Sequence, residues 1–167
     1  CAAVNTVDDK DLLRKMRKSG CWNIFYGYET GVEELAKNIL TNKKNRDFEK
    51  MKRIAKWTRE ADIEVRAGFL VGLPGETPEL AKKTIQTAIE LDPDYAQFTV
   101  CCPYPGTKLA DEIHEGKWGK FITHDLKDYQ MWSVTWLPFG YKNAKELKNM
   151  ERYAFRKFYL RPSYVIK

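Results

Sequence analysis

Three β-prone segments, separated by helical segments, constrain the fold of this chain more than any other feature of its sequence. They are Asn23 to Glu29, Glu64 to Gly72 and Tyr95 to Cys101, at intervals of roughly 30 to 40 residues. Strands that alternate with helices at this spacing predict βαβ units, whose strands lie parallel in one sheet. A further short strand is predicted at Ala2 to Val4.

The helical segments between these strands have recognisable starts. Thr77 with Pro78 predicts a capped helix start, because proline fits the first turn, where its missing N–H costs nothing. Asn143 and Glu146 form a capping-box pair for a last helix that ends before Pro162. The other predicted helices are Asp8–Ser19, Val32–Leu40, Asp47–Ala61 and one from the PYPGT turn through Gly116, whereas residues 118–141 are aromatic and irregular.

The two faces of the predicted strands differ in polarity. Since side chains alternate across a strand, Val65, Ala67, Phe69 and Val71 share an apolar face suited to packing under helices. The opposite face of the three strands carries glycine or polar residues, among them Glu29, Arg66 and Gln97. Burying these groups unpaired would cost several kcal/mol. The pattern predicts a barrel interior that holds a polar ligand near the carboxyl ends of the strands, with Gly68 and Gly72 making room for it.

Composition narrows the class of protein. The 167 residues carry 29 Lys and Arg against 23 Asp and Glu, and this excess is spread along surface helices, so nucleic-acid binding is not expected. No run of about 18 apolar residues occurs, so no membrane span is predicted. Cysteines at 1, 21, 101 and 102 have neither disulfide-framework nor metal-ligand spacing, which favours reduced thiols in a cytoplasmic protein.

Three motifs in register resemble those of the radical S-adenosylmethionine superfamily. They are Gly27-Tyr28-Glu29-Thr30-Gly31, the stretch GFLVGLPGET from Gly68 to Thr77, and Pro103-Tyr104-Pro105-Gly106-Thr107-Lys108-Leu109. The tail FRKFYLRP, residues 155–162, is similar to the end of the cobalamin-binding subgroup, which includes anaerobic magnesium-protoporphyrin IX monomethyl ester oxidative cyclases.

This resemblance implies a partial TIM-type (β/α) barrel with parallel strands and a helical C-terminal extension. Residues 1–116 would supply the later strands of the barrel, and residues 117–167 the aromatic-rich extension. In the family, a 4Fe–4S cluster binds S-adenosylmethionine and cleaves it reductively to a 5′-deoxyadenosyl radical, which takes a hydrogen atom from the substrate. An oxidoreductase that acts on a tetrapyrrole or similar small molecule is the expected parent, and the resemblance to the cobalamin-binding subgroup adds cobalamin as a candidate cofactor.

The resemblance also assigns residues to the cofactor. Glu29 is expected to hold the methionine or ribose part, Leu70 and Val71 to lie along the adenine, and Gly72 to allow close approach. The segment from Pro103 to Gly106, with Tyr104, is expected to close over the adenine. Arg66 faces the same interior and is expected to meet the cofactor carboxylate or the substrate.

The cluster motif of the family, CxxxCxxC, does not occur in the sequence, and the resemblance places it upstream of Cys1. We therefore expect the chain to be a fragment that binds no iron–sulfur cluster and is inert alone. Because a barrel cut open presents unpaired strand edges, we also expect the isolated chain to form a dimer.

Two other hypotheses remain open from the sequence. One is a fragment of an RNA-modifying, methylthiotransferase-like relative, since such enzymes share the PGET strand. The other is a non-enzymatic nucleotide- or phosphate-binding module that uses Leu73 to Glu79 at a helix N-terminus, although Glu76 and Glu79 put negative charge there.

Overall fold

A four-stranded parallel sheet forms the centre of the chain. The computed structural model describes residues 2–3, 7, 9–39, 48–130 and 132–166. The strands β1 (Ala2–Ala3), β2 (Asn23–Glu29), β3 (Glu64–Val71) and β4 (Tyr95–Val100) lie in that order, and all neighbours are parallel. The three longer strands are confirmed to within one residue, whereas Val4 lies outside the described residues.

Helices follow the strands as the sequence predicts, and one short helix that begins at Pro162 was not predicted. They are α1 (Lys10–Lys18), α2 (Glu33–Ile39), α3 (Phe48–Glu60), α4 (Pro78–Leu91), α5 (Lys108–His114), α6 (Ala144–Tyr159) and a short α7 (Pro162–Val165). Both predicted caps are confirmed, because the Thr77 side chain accepts from the N–H of Leu80 and Asn143 accepts from that of Glu146. Asp8, Leu40 and Asp47, the predicted ends of three helices, lie outside the described residues.

One face of the sheet is covered by helices and forms the main core. Its buried strand residues are Ile24, Tyr26, Tyr28, Val65, Ala67, Phe69, Val71, Ala96, Phe98 and Val100, as the alternation predicts. The rings of Tyr28, Phe69 and Phe98 form a row across the strands, with centroids 5.7 and 5.6 Å apart. We call the opposite side of the sheet the open face.

Residues 118–141 are more regular than the sequence predicts. β5 (Gly119–Phe121) and β6 (Trp136–Pro138) form an antiparallel pair, with a 3₁₀ turn at Leu126–Asp128 between them. The pair is close, since a Cβ on Gly119 would lie 2.2 Å from the Leu137 carbonyl oxygen. Strands of three residues are too short for an alternating pattern to reveal them.

The last long helix packs on the sheet. Leu147, Ala154 and Phe158 of α6 belong to the main core, and the Tyr159 hydroxyl reaches the outer side of β4. That hydroxyl accepts from the N–H of Ala96 at 3.1 Å and donates to the Ala96 carbonyl at 2.7 Å. The C-terminal extension therefore satisfies part of the β4 edge, which an exposed strand would leave unpaired.

Candidate functional site

The turn that ends β2 directs the predicted acidic residue over the open face. Glu29 has φ of 59°, in the left-handed region that non-glycine residues seldom adopt. The register between β2 and β3 shifts between Gly27 and Glu29, as at a β-bulge. A Cβ on Gly27 would lie 2.6 Å from Glu29 Oε1, so this glycine provides the space in which the half-buried carboxylate lies.

Two threonines of α4 hold this turn in place. The hydroxyl oxygens of the buried Thr30 and Thr84 are 3.0 Å apart, and the N–H of Gly31 donates to Thr84 Oγ1 at 3.3 Å. A Cβ on Gly31 would lie 2.2 Å from Thr87 Oγ1, so only glycine permits this approach. The motif Gly27–Gly31 thus fits one arrangement, in which contacts to α4 determine the direction of Glu29.

The two glycines of β3 and its loop make room for side chains of this chain. A Cβ on Gly68 would lie 2.6 Å from Phe25 Cζ, so the ring of Phe25 lies across the open face at that position. Gly72 has φ of 74°, and a Cβ there would lie 2.9 Å from Leu147 Cδ1 of α6. Both the backbone conformation and the approach of α6 therefore require glycine at Gly72.

The loop after β3 contains a buried carboxylate. Glu76 has no exposed surface, and its Oε1 accepts from the N–H of Gly72 at 2.5 Å and from the hydroxyl of Tyr141 at 2.6 Å. Its Oε2 has no hydrogen-bond partner in the part of the chain that the structure describes. Burial raises the pKa of Glu76 to about 7, although the bonds from Tyr141 and Gly72 act to lower it. Glu76 therefore exchanges its proton near neutral pH.

The loop after β4 forms a tight turn. The N–H of Thr107 donates to the Tyr104 carbonyl at 3.2 Å, and Gly106 has φ of 80°. Proline and then a left-handed glycine at the two central positions are typical of a type II turn. Pro103 is buried, whereas the Tyr104 side chain is exposed, with its ring centroid 6.0 Å from that of Tyr129.

The strand register separates the predicted site residues into two groups. Glu29 lies beside Phe69, and Leu70 beside Thr99, so both lie at the carboxyl ends of the strands, near the loops that carry Gly72 and Pro103–Gly106. The Val71 side chain is fully buried under the helices, so only its main chain can contact a ligand on the open face.

Arg66 belongs to the other half of the strands. It pairs with Phe25 and Tyr95, three residues before Phe69, which corresponds to roughly 10 Å along a strand. Its guanidinium carbon lies 5.7 Å from the centroid of the Tyr95 ring. The structure therefore does not bring Arg66 together with Glu29 at the strand ends.

An apolar cluster covers the carboxyl ends of the strands. Leu35, Leu73, Cys101, Ile113 and Trp136 are its buried members, and Leu70 packs against it. The indole N–H of Trp136 donates to the Cys101 carbonyl at 2.8 Å. Burial raises the pKa of the Cys101 thiol above its usual range. The neighbouring Cys102 is only partly buried, and its Sγ lies 3.6 Å from Thr135 Oγ1.

Sequence reasoning did not find the partners of these loops. Thr84 and Tyr141 have no local signal, because the residues they contact lie 54 and 65 positions away in the chain. Within the described ranges, no group of three or more His, Cys, Asp and Glu side chains could hold a metal ion. The same ranges contain no helix that is long and apolar enough to cross a membrane.

A parallel sheet with helices on one face and glycine-containing loops at its carboxyl ends is typical of a segment of an α/β barrel, the fold class whose ligand sites lie at the carboxyl ends of the strands. The family model described as the radical SAM superfamily matches residues 2–88, just over half of the chain. The chain belongs to the radical S-adenosylmethionine superfamily. The predicted family is confirmed, and the matched region contains the first two of its three motifs. The expectation that the parent protein uses the family's cofactors, S-adenosylmethionine and a 4Fe–4S cluster, is confirmed with it.

Two individual relatives are similar to most of this chain. An uncharacterised methyltransferase of Pyrococcus horikoshii is 28% identical over 98% of this chain and 34% of its own length. An anaerobic magnesium-protoporphyrin IX monomethyl ester cyclase of Cereibacter sphaeroides is 36% identical over 64% of this chain and 17% of its own length. The chain thus spans about a third or less of the length of these two relatives.

A solved structure confirms the fold. The radical S-adenosylmethionine methyltransferase TsrM from Kitasatospora setae, with cobalamin and a [4Fe-4S] cluster bound, superposes with a TM-score of 0.69. The match covers 97% of this chain and 35% of that chain at 17% identity, so it concerns the fold alone. The predicted partial α/β barrel is confirmed.

Proposed function

We propose that the chain is the part of a radical S-adenosylmethionine enzyme that holds S-adenosylmethionine at the mouth of the barrel. The observation that carries this proposal is the conformation of Glu29. Glu29 has a left-handed backbone, its carboxylate lies over Gly27, and buried hydrogen bonds to α4 hold the turn that carries it. Such a conformation costs free energy that an ordinary surface carboxylate does not require. A ligand that donates hydrogen bonds to the Glu29 carboxylate accounts for this conformation.

The residues at the mouth fit the chemistry of that cofactor. S-adenosylmethionine carries an ammonium group and two ribose hydroxyls. A carboxylate such as that of Glu29 accepts hydrogen bonds from both kinds of group. Leu70 is half-buried on the same face and offers an apolar surface to the adenine, with Pro103 and Tyr104 on the next loop. When bound beside the reduced cluster, the cofactor supplies the means to remove a hydrogen atom from the substrate. The residues of this chain orient it and exclude water.

For the whole protein, we propose an oxidoreductase of the oxidative-cyclase type that acts on a small molecule. The 36% identity to the cyclase of Cereibacter sphaeroides supports this class. Methyl transfer is the second candidate, because the relative that aligns with 98% of this chain is called a methyltransferase. Cobalamin remains a proposal in both cases, supported by its presence in TsrM.

Two other hypotheses receive less support. The described residues after α5 pack against the sheet and α4, whereas an RNA-modifying relative would be expected to add a separate binding module there. A phosphate cradle at Leu73–Glu79 would need free amides, and within that stretch the N–H of Glu76 already donates to the Leu73 carbonyl at 2.9 Å. We retain a small molecule as the proposed substrate.

The role of Glu29 is tested in the cluster-reconstituted parent protein. We expect Glu29→Gln to weaken S-adenosylmethionine binding by about 1–3 kcal/mol, the scale of a charge-assisted hydrogen bond at a partly buried site. Anaerobic calorimetric titration measures this change. Glu33→Gln is the matched control, because Glu33 is exposed and paired with Lys37 just beyond the turn. If both variants bind like the wild type, Glu29 does not contact the cofactor.

The reaction class is tested separately by product analysis. Methyl transfer from S-adenosylmethionine leaves S-adenosylhomocysteine, whereas reductive cleavage leaves 5′-deoxyadenosine and methionine. We expect the reduced parent protein to form 5′-deoxyadenosine without S-adenosylhomocysteine, as measured by mass spectrometry. Enzyme-dependent S-adenosylhomocysteine would instead support the methyltransferase candidate.

A further inference from the structure

A cavity of about 250 Å³ lies on the open face, in the half of the strands away from Glu29. Phe25, Arg66 and Gln97 line it from three neighbouring strands. Trp132, Phe155 and Tyr159 of the C-terminal extension form the opposite wall. The cavity thus exists because the extension folds back against β4.

Arg66 brings a positive charge to this cavity. Among the residues that the structure describes, no carboxylate lies within 4.0 Å of the exposed Arg66 guanidinium. Several other arginines, Arg53 among them, likewise have no such partner in the described part of the chain. The Arg66 guanidinium lies 5.7 Å from the centroid of the Tyr95 ring. Its planar array of N–H donors suits a carboxylate, which it can bind through two parallel hydrogen bonds.

The opposite wall is aromatic and held in place. The rings of Phe155 and Tyr159 are nearly parallel, at 13° with centroids 6.2 Å apart. The Trp132 ring lies 6.3 Å from Phe155 and is tilted by 50° to it. The two hydrogen bonds of the Tyr159 hydroxyl to Ala96 fix Tyr159 relative to β4, and Trp132 at the other end of the wall is half-exposed. Flat apolar side chains held in this way favour a planar, conjugated ligand.

We propose that this cavity binds a planar aromatic carboxylate, with its carboxylate on Arg66 and its ring against Trp132 and Phe155. The volume lies just below the range of about 300–1,000 Å³ that is usual for drug-sized ligands, so one or two fused rings are the expected size. The proposal goes beyond the function proposed above and does not depend on it, because neither S-adenosylmethionine nor a cluster takes part in this binding.

The test uses naphthalene-2-carboxylate as the probe and the uncharged naphthalene-2-carboxamide as its isostere. Calorimetric titration of the 167-residue chain is expected to show saturable binding of the carboxylate and at least about tenfold weaker binding of the amide, since a charged hydrogen-bonded pair is lost. Arg66→Gln is expected to weaken carboxylate binding by about the same factor.

Arg53→Gln is the matched control, because Arg53 lies 5.6 Å from the centroid of the Trp57 ring but outside this cavity. It is expected to leave binding unchanged. Trp132→Ala alters an exposed side chain of the wall and is expected to weaken both probes. Circular dichroism of each variant confirms that the fold is retained.

Three results would overturn the proposal. They are the absence of saturable carboxylate binding, equal affinity for the amide, and unchanged affinity in Arg66→Gln. The same titration on the parent protein adds a further check. Loss of binding there would show that another part of that protein fills the cavity, and would equally overturn the assignment.

Discussion

The buried carboxyl of Glu76 is expected to make the stability of this chain depend on pH in an unusual direction. In the folded chain its pKa is about 7, because burial penalises the charged form, against an ordinary value of 4.5. Between these two values the folded state binds more protons than the unfolded state. The free energy of unfolding therefore falls as the pH rises from 4.5 to about 7, and the loss is complete above pH 7.

The magnitude follows from the difference between the two pKa values. From 4.5 to about 7 is about 2.5 pH units, and each unit corresponds to about 1.4 kcal/mol, so the full expected loss is about 3–4 kcal/mol. Glu76→Gln removes the titration while keeping the shape of the side chain. We expect the wild type to lose about 3 kcal/mol relative to this variant between pH 4.5 and pH 8.

Urea denaturation, followed by circular dichroism at several pH values, measures this difference. Other carboxylates, such as Glu112, whose pKa is lowered chiefly by its bond from Lys117, contribute equally to both proteins and cancel. Glu79→Gln is the control, because Glu79 lies on the first turn of α4 but is exposed. Parallel stability curves for the wild type and Glu76→Gln would refute the reasoning, since a buried titrating carboxyl cannot leave them parallel.

The remaining predictions concern other contacts of the fold. Thr84→Val is expected to cost about 1–2 kcal/mol in urea denaturation, because the buried Thr30 hydroxyl loses one of its two partners and the N–H of Gly31 loses its acceptor. Thr87→Val, which leaves that pair intact, should cost less, and equal costs would contradict the assignment. Tyr159→Phe is expected to cost about 1–3 kcal/mol and to speed amide exchange at Ala96; unchanged exchange would show that the hydroxyl does not protect this edge. We also expect light scattering between about 5 and 200 µM to detect micromolar dimers through strand edges that Tyr159 leaves uncovered, whereas a monodisperse 19.5 kDa species throughout would refute self-association.

The arrangement of the C-terminal extension depended on tertiary contacts. Residues 119–138 carry too few alternating positions to predict β5 and β6, which form because Gly119 lets the two backbones approach. The cap at Asn143 made the start of α6 predictable from the sequence. Its position beside β4 was not predictable, because that position depends on packing between distant parts of the chain. The same packing created the cavity that Arg66 lines. The strand pattern had predicted that Arg66 and Glu29 share one barrel interior.

Sequence alone determined the features that depend on near neighbours in the chain. Alternation over Glu64–Val71 predicted which face is buried, Thr77 and Asn143 predicted two helix starts, and the glycine motifs indicated the family. These signals are local because side-chain alternation and helix caps act over one to four residues. Tertiary structure decided the direction of Glu29 and the burial of Glu76, because their partners Thr84 and Tyr141 come from distant elements. Only the folded path of the chain brings such groups within hydrogen-bond distance.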